Sequence, residues 1–427
     1  MPKPRTEAPI SIAAPAAHGP AATISRRASD KLRTGSLWVY RSDVMQLIPA
    51  LGTAAPEAGT LLTVLDTRGI PLGTALYSSA SQIALRIVSA MPALTRAAYL
   101  DDVRARTQQA LALRREILSE SSSTNACRLI FSEADNLPGI LADRYHDLIL
   151  LQLLTQGTAQ DDVRAVLTEE LRREFSPAAI WERPDPRIRE LEQLAPPPPG
   201  PLYVAGEART ATQFTLNGLQ FRYDAASGQK TGAFLDQRLN YMAAASHAHG
   251  RALDVCTYQG GFALHMARVC ERVTGVDASR AALEVADQNM ELNRSQLRNN
   301  GDGVDWIEAD AFELLREYEA TGERFGTIVL DPPAFAKSKN ATEGALRGYK
   351  EMNLRALKML EPGGTLVTCS CSHHVSLEDF TGAIASAAAD AGRRVRLLER
   401  RGAAPDHPEI VTLPETIYLK CLIIRVI

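Results

Sequence analysis

Two cysteines stand two apart in Val367-Thr-Cys-Ser-Cys-Ser-His-His374. In an extended chain Cys369 and Cys371 share one face. A thiol at the end of a strand becomes a nucleophile once it is partly ionised. It can add to C6 of a pyrimidine, which turns the inert aromatic C5 into an enamine able to attack a methyl sulfonium. Methylation of an amine needs no such thiol. Lys230, Lys337 and Lys339 are the cations that could lower the thiol pKa. The bland alternative for either cysteine is a small core residue. A soft-metal site in Cys-x-Cys-x-His-His is disfavoured, because one short segment rarely supplies a closed tetrahedral set, so no metal is expected.

A second constellation is Val329-Leu-Asp-Pro-Pro-Ala-Phe335. Prolines remove backbone donors and stiffen a turn. Carbonyls and the Asp331 carboxylate are then left to face a flat, hydrogen-bonding ring, with Pro332, Pro333 and Phe335 beside it. A third is Leu253-Asp-Val-Cys-Thr-Tyr-Gln-Gly-Gly-Phe262. Gly260 and Gly261 permit a sharp turn and a close approach to a ligand. Asp277-Ala278 follows, placed to accept ribose hydroxyls, and Asp310-Ala311 is placed to hold an adenine amino group. The loop is not G-x-G-x-x-G, and it lacks the Gly-Lys-Ser/Thr of a phosphate loop.

These residues need a frame that brings strand ends together. From residue 250 strands alternate with helices, which predicts a doubly wound, mostly parallel sheet. Ligands of such sheets sit beyond the carboxyl ends of the strands. Asn217-Gly218 between β-rich runs predicts a leading hairpin within a 206–427 domain. Residues 92–205 read as a mixed α/β middle domain ending in the stiff spacer Ala195-Pro-Pro-Pro-Pro-Gly200. Residues 24–91 carry short strands at regular spacing, expected to form a small barrel. Their basic residues Arg26, Arg27, Lys31, Arg33 and Arg41 are candidate phosphate contacts. The Pro/Ala-rich residues 1–23 are expected to be a disordered tail.

The 427 residues hold 47 Lys and Arg against 50 Asp and Glu, a net charge of −3. The total neither favours nor excludes a nucleic acid, which needs only a local basic face. No apolar run approaches the roughly 18 residues of a membrane span. Six cysteines without a secretory h-region read as reduced thiols of a cytoplasmic protein.

The glycine loop resembles motif I of class I S-adenosylmethionine-dependent methyltransferases, and Asp331-Pro-Pro resembles motif IV of methyltransferases acting on nucleic-acid bases. Together with Gly228-Gln-Lys-Thr-Gly-Ala-Phe-Leu-Asp-Gln-Arg238, Arg347-Gly-Tyr-Lys350, Ser370-Cys371-Ser372, Asp406-His407-Pro408 and Tyr418-Leu-Lys420, the chain resembles the ribosomal large-subunit RNA cytosine-5 methyltransferase I family over nearly its whole length. The resemblance implies a PUA domain, a middle α/β domain and a Rossmann-like methyltransferase domain. It also implies S-adenosylmethionine as cofactor and 5-methylcytosine in large-subunit ribosomal RNA as product. By position it makes Cys371 the nucleophile. Cys369 is the rival, since Thr368-Cys369-Ser370 matches the nucleophile motif of another RNA cytosine-5 branch. Asp331 is expected to bond the cytosine edge. Asp254, Tyr258, Gly260, Gly261, Asp277, Ala278, Asp310 and Ala311 are expected at the cofactor, with Lys230, Thr231 and Phe234 lying over it and Arg238 meeting RNA phosphate. Two other readings stay open: guanine methylation on the same fold, and a non-catalytic RNA-binding assembly factor. The oligomeric state stays open too, a homodimer included.

Overall fold

Short β-prone runs separated by Gly and Asp turns assemble the first unit. The computed structural model describes residues 10–16, 19–118, 123–226, 233–336 and 338–427. Its first sheet runs Ser11–Ile12, Val44–Ile48, Ala21–Ile24, Leu61–Leu65, Pro71–Tyr77, Ile83–Ser89, Trp38–Tyr40 in spatial order. The turn between Leu65 and Pro71 is built by Asp66, whose Oδ1 accepts from the amides of Arg68 and Ile70. The expected disordered tail is corrected here for the described part of residues 10–23. Ala21–Ile24 is an inner strand, antiparallel to Val44–Ile48 and parallel to Leu61–Leu65. Ala21 and Ala22 are fully buried; alanine is small enough to sit at the crowded centre of a small sheet, and this the Pro/Ala composition concealed. The basic stretch becomes the helix Arg26–Arg33, N-capped by Ser25.

The second sheet runs Tyr203–Val204, Ala179–Glu182, Leu148–Leu153, Ile140–Tyr145, Ala126–Phe131. Leu148–Leu153 is buried at every position, Gln152 included, as an apolar run with one polar residue within it. Helices Arg96–Leu118 and Asp161–Phe175 cover one face with Val103, Leu111, Val163 and Leu167. The strand Tyr203–Val204 comes after the polyproline spacer yet pairs back with Ala179–Ile180. A hairpin follows, Ala211–Leu216 with Leu219–Asp224. Asn217 and Gly218 both have positive φ, 53° and 85°, as the tight turn between twisted strands demands.

The third sheet carries the site. Its strands are β1 (Arg251–Val255), β2 (Arg272–Asp277), β3 (Val304–Glu308), β4 (Phe325–Leu330), β5 (Leu360–Ser370), β6 (Val395–Arg401) and β7 (Lys420–Val426). Its helices are α1 (Arg238–His247), α2 (Gly261–Met266), α3 (Arg280–Asn293), α4 (Ala311–Thr321), α5 (Thr342–Met359) and α6 (Leu377–Asp390). The spatial order is β3-β2-β1-β4-β5-β7-β6. Strands β1 to β5 are parallel, and β7 lies antiparallel between β5 and β6. Every residue of β4 is buried, the signature of a strand covered on both faces. The order reverses between β1 and β4, which opens a crevice at their carboxyl ends. The glycine loop after β1, Asp331 after β4 and Cys371 after β5 all open onto that crevice.

Candidate active site and cofactor pocket

Each strand end has a device that fixes its loop. After β1, Cys256, Tyr258 and Gly260 all take positive φ, a conformation costly for the first two. Asp254 holds this turn: its Oδ2 accepts from Thr257 Oγ1 (2.5 Å) and from the amide of Ala263 (2.9 Å). Asp254 is fully buried, its Oδ1 has no hydrogen-bond partner, and burial raises its carboxyl to about 7. Its place is beneath the loop rather than on the ligand side. Gly261 has to be glycine, since a Cβ there would sit 2.6 Å from the Tyr241 ring. Asp277, at the end of β2, accepts from the amides of Tyr258 and Ser279 and remains half-buried. Asp310 caps α4 through Oδ1 alone, accepting from the amides of Phe312 and Glu313. Ala278 is exposed and Ala311 half-buried beside these acids.

After β4, Asp331 Oδ2 accepts from Gln237 Nε2 at 3.0 Å. Asp331 keeps part of its surface open but is densely surrounded by protein. Burial, then the Asp236 and Asp254 carboxylates, push it to about 8. Pro332 is buried and Pro333 exposed. Phe335 packs its ring against Tyr349, 4.8 Å between centroids, so it buttresses the turn.

The two candidate thiols separate sharply. Cys369 is fully buried inside β5, directly opposite Cys421 of β7, and burial lifts its thiol well above the ordinary value. Cys371 is half-buried, with Sγ 3.9 Å from the Pro332 carbonyl oxygen. Its flanking serines bolt the segment down. Ser370 Oγ donates to Tyr349 Oη (2.9 Å), Ser372 Oγ shares a hydrogen bond with the same hydroxyl (3.0 Å), and the Ala336 amide donates to Ser372 Oγ. Burial, Asp331 and Asp236 hold the Cys371 thiol up at about 11, while Lys420 pulls it down.

Known proteins carry the same organisation. A family model described as S-adenosylmethionine-dependent methyltransferase matches residues 134–425, and one described as a PUA-like domain matches residues 22–90. Ribosomal RNA large subunit methyltransferase I of Klebsiella pneumoniae (strain 342) is 37% identical over 396 residues, covering 91% of this chain and 94% of that protein. The Serratia proteamaculans (strain 568) protein of the same name is 37% identical over 392 residues, covering 91% and 95%. The chain belongs to the ribosomal RNA large subunit methyltransferase I family. Two solved structures share its fold. SMU.776, solved in complex with SAH, superposes with a TM-score of 0.77 at 18% identity, covering 94% of this chain and 99% of that one. A structure from Streptococcus mutans, described as that of a SAM-dependent methyltransferase, gives a TM-score of 0.76 at 19% identity.

The cofactor of this family is S-adenosylmethionine, and the residues fit it. A cavity beside the glycine loop is lined by Phe234, Tyr241, Cys256, Tyr258 and Gly261 and reaches Asp331. Its described lining offers aromatic faces and a carboxyl but no lysine or arginine, which suits a sulfonium cation and not a phosphate. Phe234 and Tyr258 stand with ring centroids 5.2 Å apart at the cavity. Asp277 and Asp310 stand at neighbouring strand ends, each accepting from backbone amides of the loop or helix that follows. Lys230, Thr231, Lys337 and the side chain of Lys339 lie outside the described residues.

Arg238 is corrected. It is buried, and Nη2 donates to Asp406 Oδ1 at 3.0 Å, so it is not available to RNA phosphate. The basic face of the first unit is also partly neutralised. Arg27 pairs with Asp43, Arg33 with Asp30 and Asp66, and Arg26 approaches Asp30. Arg41 donates to the carbonyls of Ser78 and Ser81. All four of Arg26, Arg27, Lys31 and Arg33 are nevertheless exposed. Three residues gained no individual role from sequence: Gln237 on Asp331, Asp236 facing both Asp331 and Cys371, and Lys420 beside Cys371. The signal was present in the matching stretches around 228–238 and 418–420, but only the fold shows which side chains turn inward.

Proposed function

We propose that this chain transfers a methyl group from S-adenosylmethionine to C5 of a cytosine in large-subunit ribosomal RNA, with Cys371 as nucleophile. The observation that carries this reading is the position of the one partly open thiol of the Ser-Cys-Ser segment, across from the Asp331-Pro332 turn. The relatives' names supply the RNA class, and the PUA-like match supports an RNA contact at the first unit. The cofactor supplies an electrophilic methyl group. Cys371 adds through Sγ to C6, and the displaced electron pair moves toward N3. Asp331, neutral up to about pH 8, donates to that edge instead of repelling it. C5 then has the electron pair that takes the methyl. Loss of the C5 proton and cleavage of the C6–Sγ bond restore the ring and the thiol. A reaction that needs a free thiol belongs in a reducing compartment, so the cytoplasm is the proposed location.

The test is methyl transfer from labelled S-adenosylmethionine to total ribosomal RNA of a strain lacking the gene, followed by nucleoside analysis. Label in 5-methylcytidine is expected. Label in a methylguanosine would overturn the choice of atom. RNA carrying 5-fluorocytidine should trap a covalent adduct that Cys371→Ser does not form.

A further inference from the structure

Lys420 opens β7 and lies directly opposite Ser370 of β5 in the ladder. Its Nζ donates to the carbonyl of Ser372 at 2.7 Å and to that of Tyr418 at 2.8 Å. The amine is therefore held at the carbonyl of Ser372, the residue that follows Cys371. The side chain is buried, 5% exposed. Its hydrogen-bond partners among the described residues are two neutral carbonyls, and the charge acting on it is that of Cys371. A buried ammonium without a carboxylate is expensive, so a structural purpose alone accounts for it poorly.

Among the described residues, the other groups around the thiol oppose its ionisation or are neutral. Asp236, before α1, and the ionised form of Asp331, after β4, both raise it. The Tyr349 hydroxyl on α5 is committed to Ser370 and Ser372, and the Tyr418 hydroxyl donates to Asp236 Oδ2. His373 has its charged form disfavoured by burial and then by Lys420, and His374 stands next to it. Lys420 is the cation in this set that favours a thiolate.

We propose that Lys420 takes the proton from Cys371 Sγ as the sulfur adds to C6, and then serves as its counter-cation until the sulfur leaves. The S–H bond breaks, an N–H bond forms on Nζ, and the sulfur electron pair makes the S–C6 bond. When the C6–Sγ bond breaks, the proton returns to sulfur. This step rests on Cys371 being the nucleophile. Burial keeps the Lys420 amine at about 8, so its free base is present in the weakly alkaline range, where an ordinary lysine is an ammonium.

The test is iodoacetamide labelling of Cys371, read by peptide mass spectrometry across weakly acidic to alkaline pH. In the unaltered protein the rate should rise with pH and level off above about 8, because thiolate–ammonium and thiol–amine carry the same number of protons. Lys420→Met should lose the levelling and label about tenfold more slowly near neutral pH, one unit of thiol pKa. Lys420→Arg keeps a cation able to donate to both carbonyls but gives up no proton in this range. It should label normally near neutrality, lose the levelling, and transfer methyl at least about tenfold more slowly with KM for RNA unchanged. A Lys420→Met profile that overlays the unaltered one would overturn the proposal. If that variant does not fold, levelling retained in Lys420→Arg does the same. Methyl transfer surviving in Cys371→Ser would instead sink the nucleophile reading, whatever the labelling profile.

Discussion

A thiol can attack a base only where the base can reach it, and the two neighbouring cysteines differ in that respect. Cys371 emerges past the end of β5, while Cys369, two residues earlier, faces Cys421 in the sheet interior. Cys371→Ala should therefore lose more than about 10³-fold in methyl transfer with its unfolding midpoint little changed. Cys369→Ala should keep activity within a few-fold and lose about 1–2 kcal/mol of stability in denaturant titration. The reverse pattern would make Cys369 the nucleophile. The carboxyls beneath them have a stability consequence of their own. Asp331 and Asp254 are raised to about 8 and about 7, so the folded state keeps protons that the unfolded chain has released from about pH 4 upward. Stability from these groups is then greatest below the ordinary carboxylate pKa and is lost as pH rises toward about 8. The thermal midpoint of the cofactor-free protein should decline across that window. Asp331→Asn and Asp254→Asn should each flatten the decline, and an unchanged slope in both would mean the carboxyls are ionised throughout.

The strand-end loops work because their conformations are imposed rather than intrinsic. The turn after β1 strings together three residues of positive φ and is held by one buried carboxylate. Gly261→Ala would force its new methyl against Tyr241, and either α1 or α2 must shift. Cofactor affinity, measured by calorimetry, should fall by at least about tenfold while the far-UV spectrum stays native. An unchanged Kd would show that the ring yields freely. The five parallel strands of this sheet were legible as short β-prone runs followed by turns, whereas β6, which alternates charged and apolar residues, was not. The hairpin was legible from Asn217-Gly218. What escaped was burial that depends on distant partners. Arg238 looks in sequence like a loop cation; it is interior because Asp406, far along the chain, comes back to meet it. Ala21 and Ala22 look like tail because alanine has no strong pattern of its own, and only the neighbouring strands make them core.

At the scale of the molecule, residues 402–418 tie the three units into one body around the crevice. Asp406 accepts from Arg238 Nη2 in the catalytic unit and from the Arg128 amide in the middle unit, and its carbonyl accepts from Arg114 Nη2. Thr412 Oγ1 donates to the Gly35 carbonyl of the first unit, and Tyr418 Oη to Asp236 at the site. Burial alone would raise the Asp406 carboxyl; His407, Arg238 and the Arg128 amide outweigh it and hold it well below the usual range. A depressed acid contributes stability above its unfolded pKa and loses it as pH falls below that value. The link between middle and catalytic units should thus weaken only in acid, below about pH 4. Asp406→Ala leaves the Arg238 guanidinium buried without its acid, at a cost of about 3–5 kcal/mol. Asp406 bonds both units beside the apolar core they share, so its loss should weaken their coupling. Denaturant unfolding, expected as one transition in the unaltered protein, should split into two, and methyl transfer should fall with the first, since Asp331 is held by Gln237, the residue next to Arg238. A single transition merely displaced to lower denaturant would mean the units are coupled elsewhere. A separate pair of bonds, Trp38 Nε1 to Glu133 and Ser78 Oγ to Glu192, lies elsewhere in the molecule. Both join the first unit to the middle one and leave the crevice untouched, so their loss should weaken RNA binding before it slows chemistry.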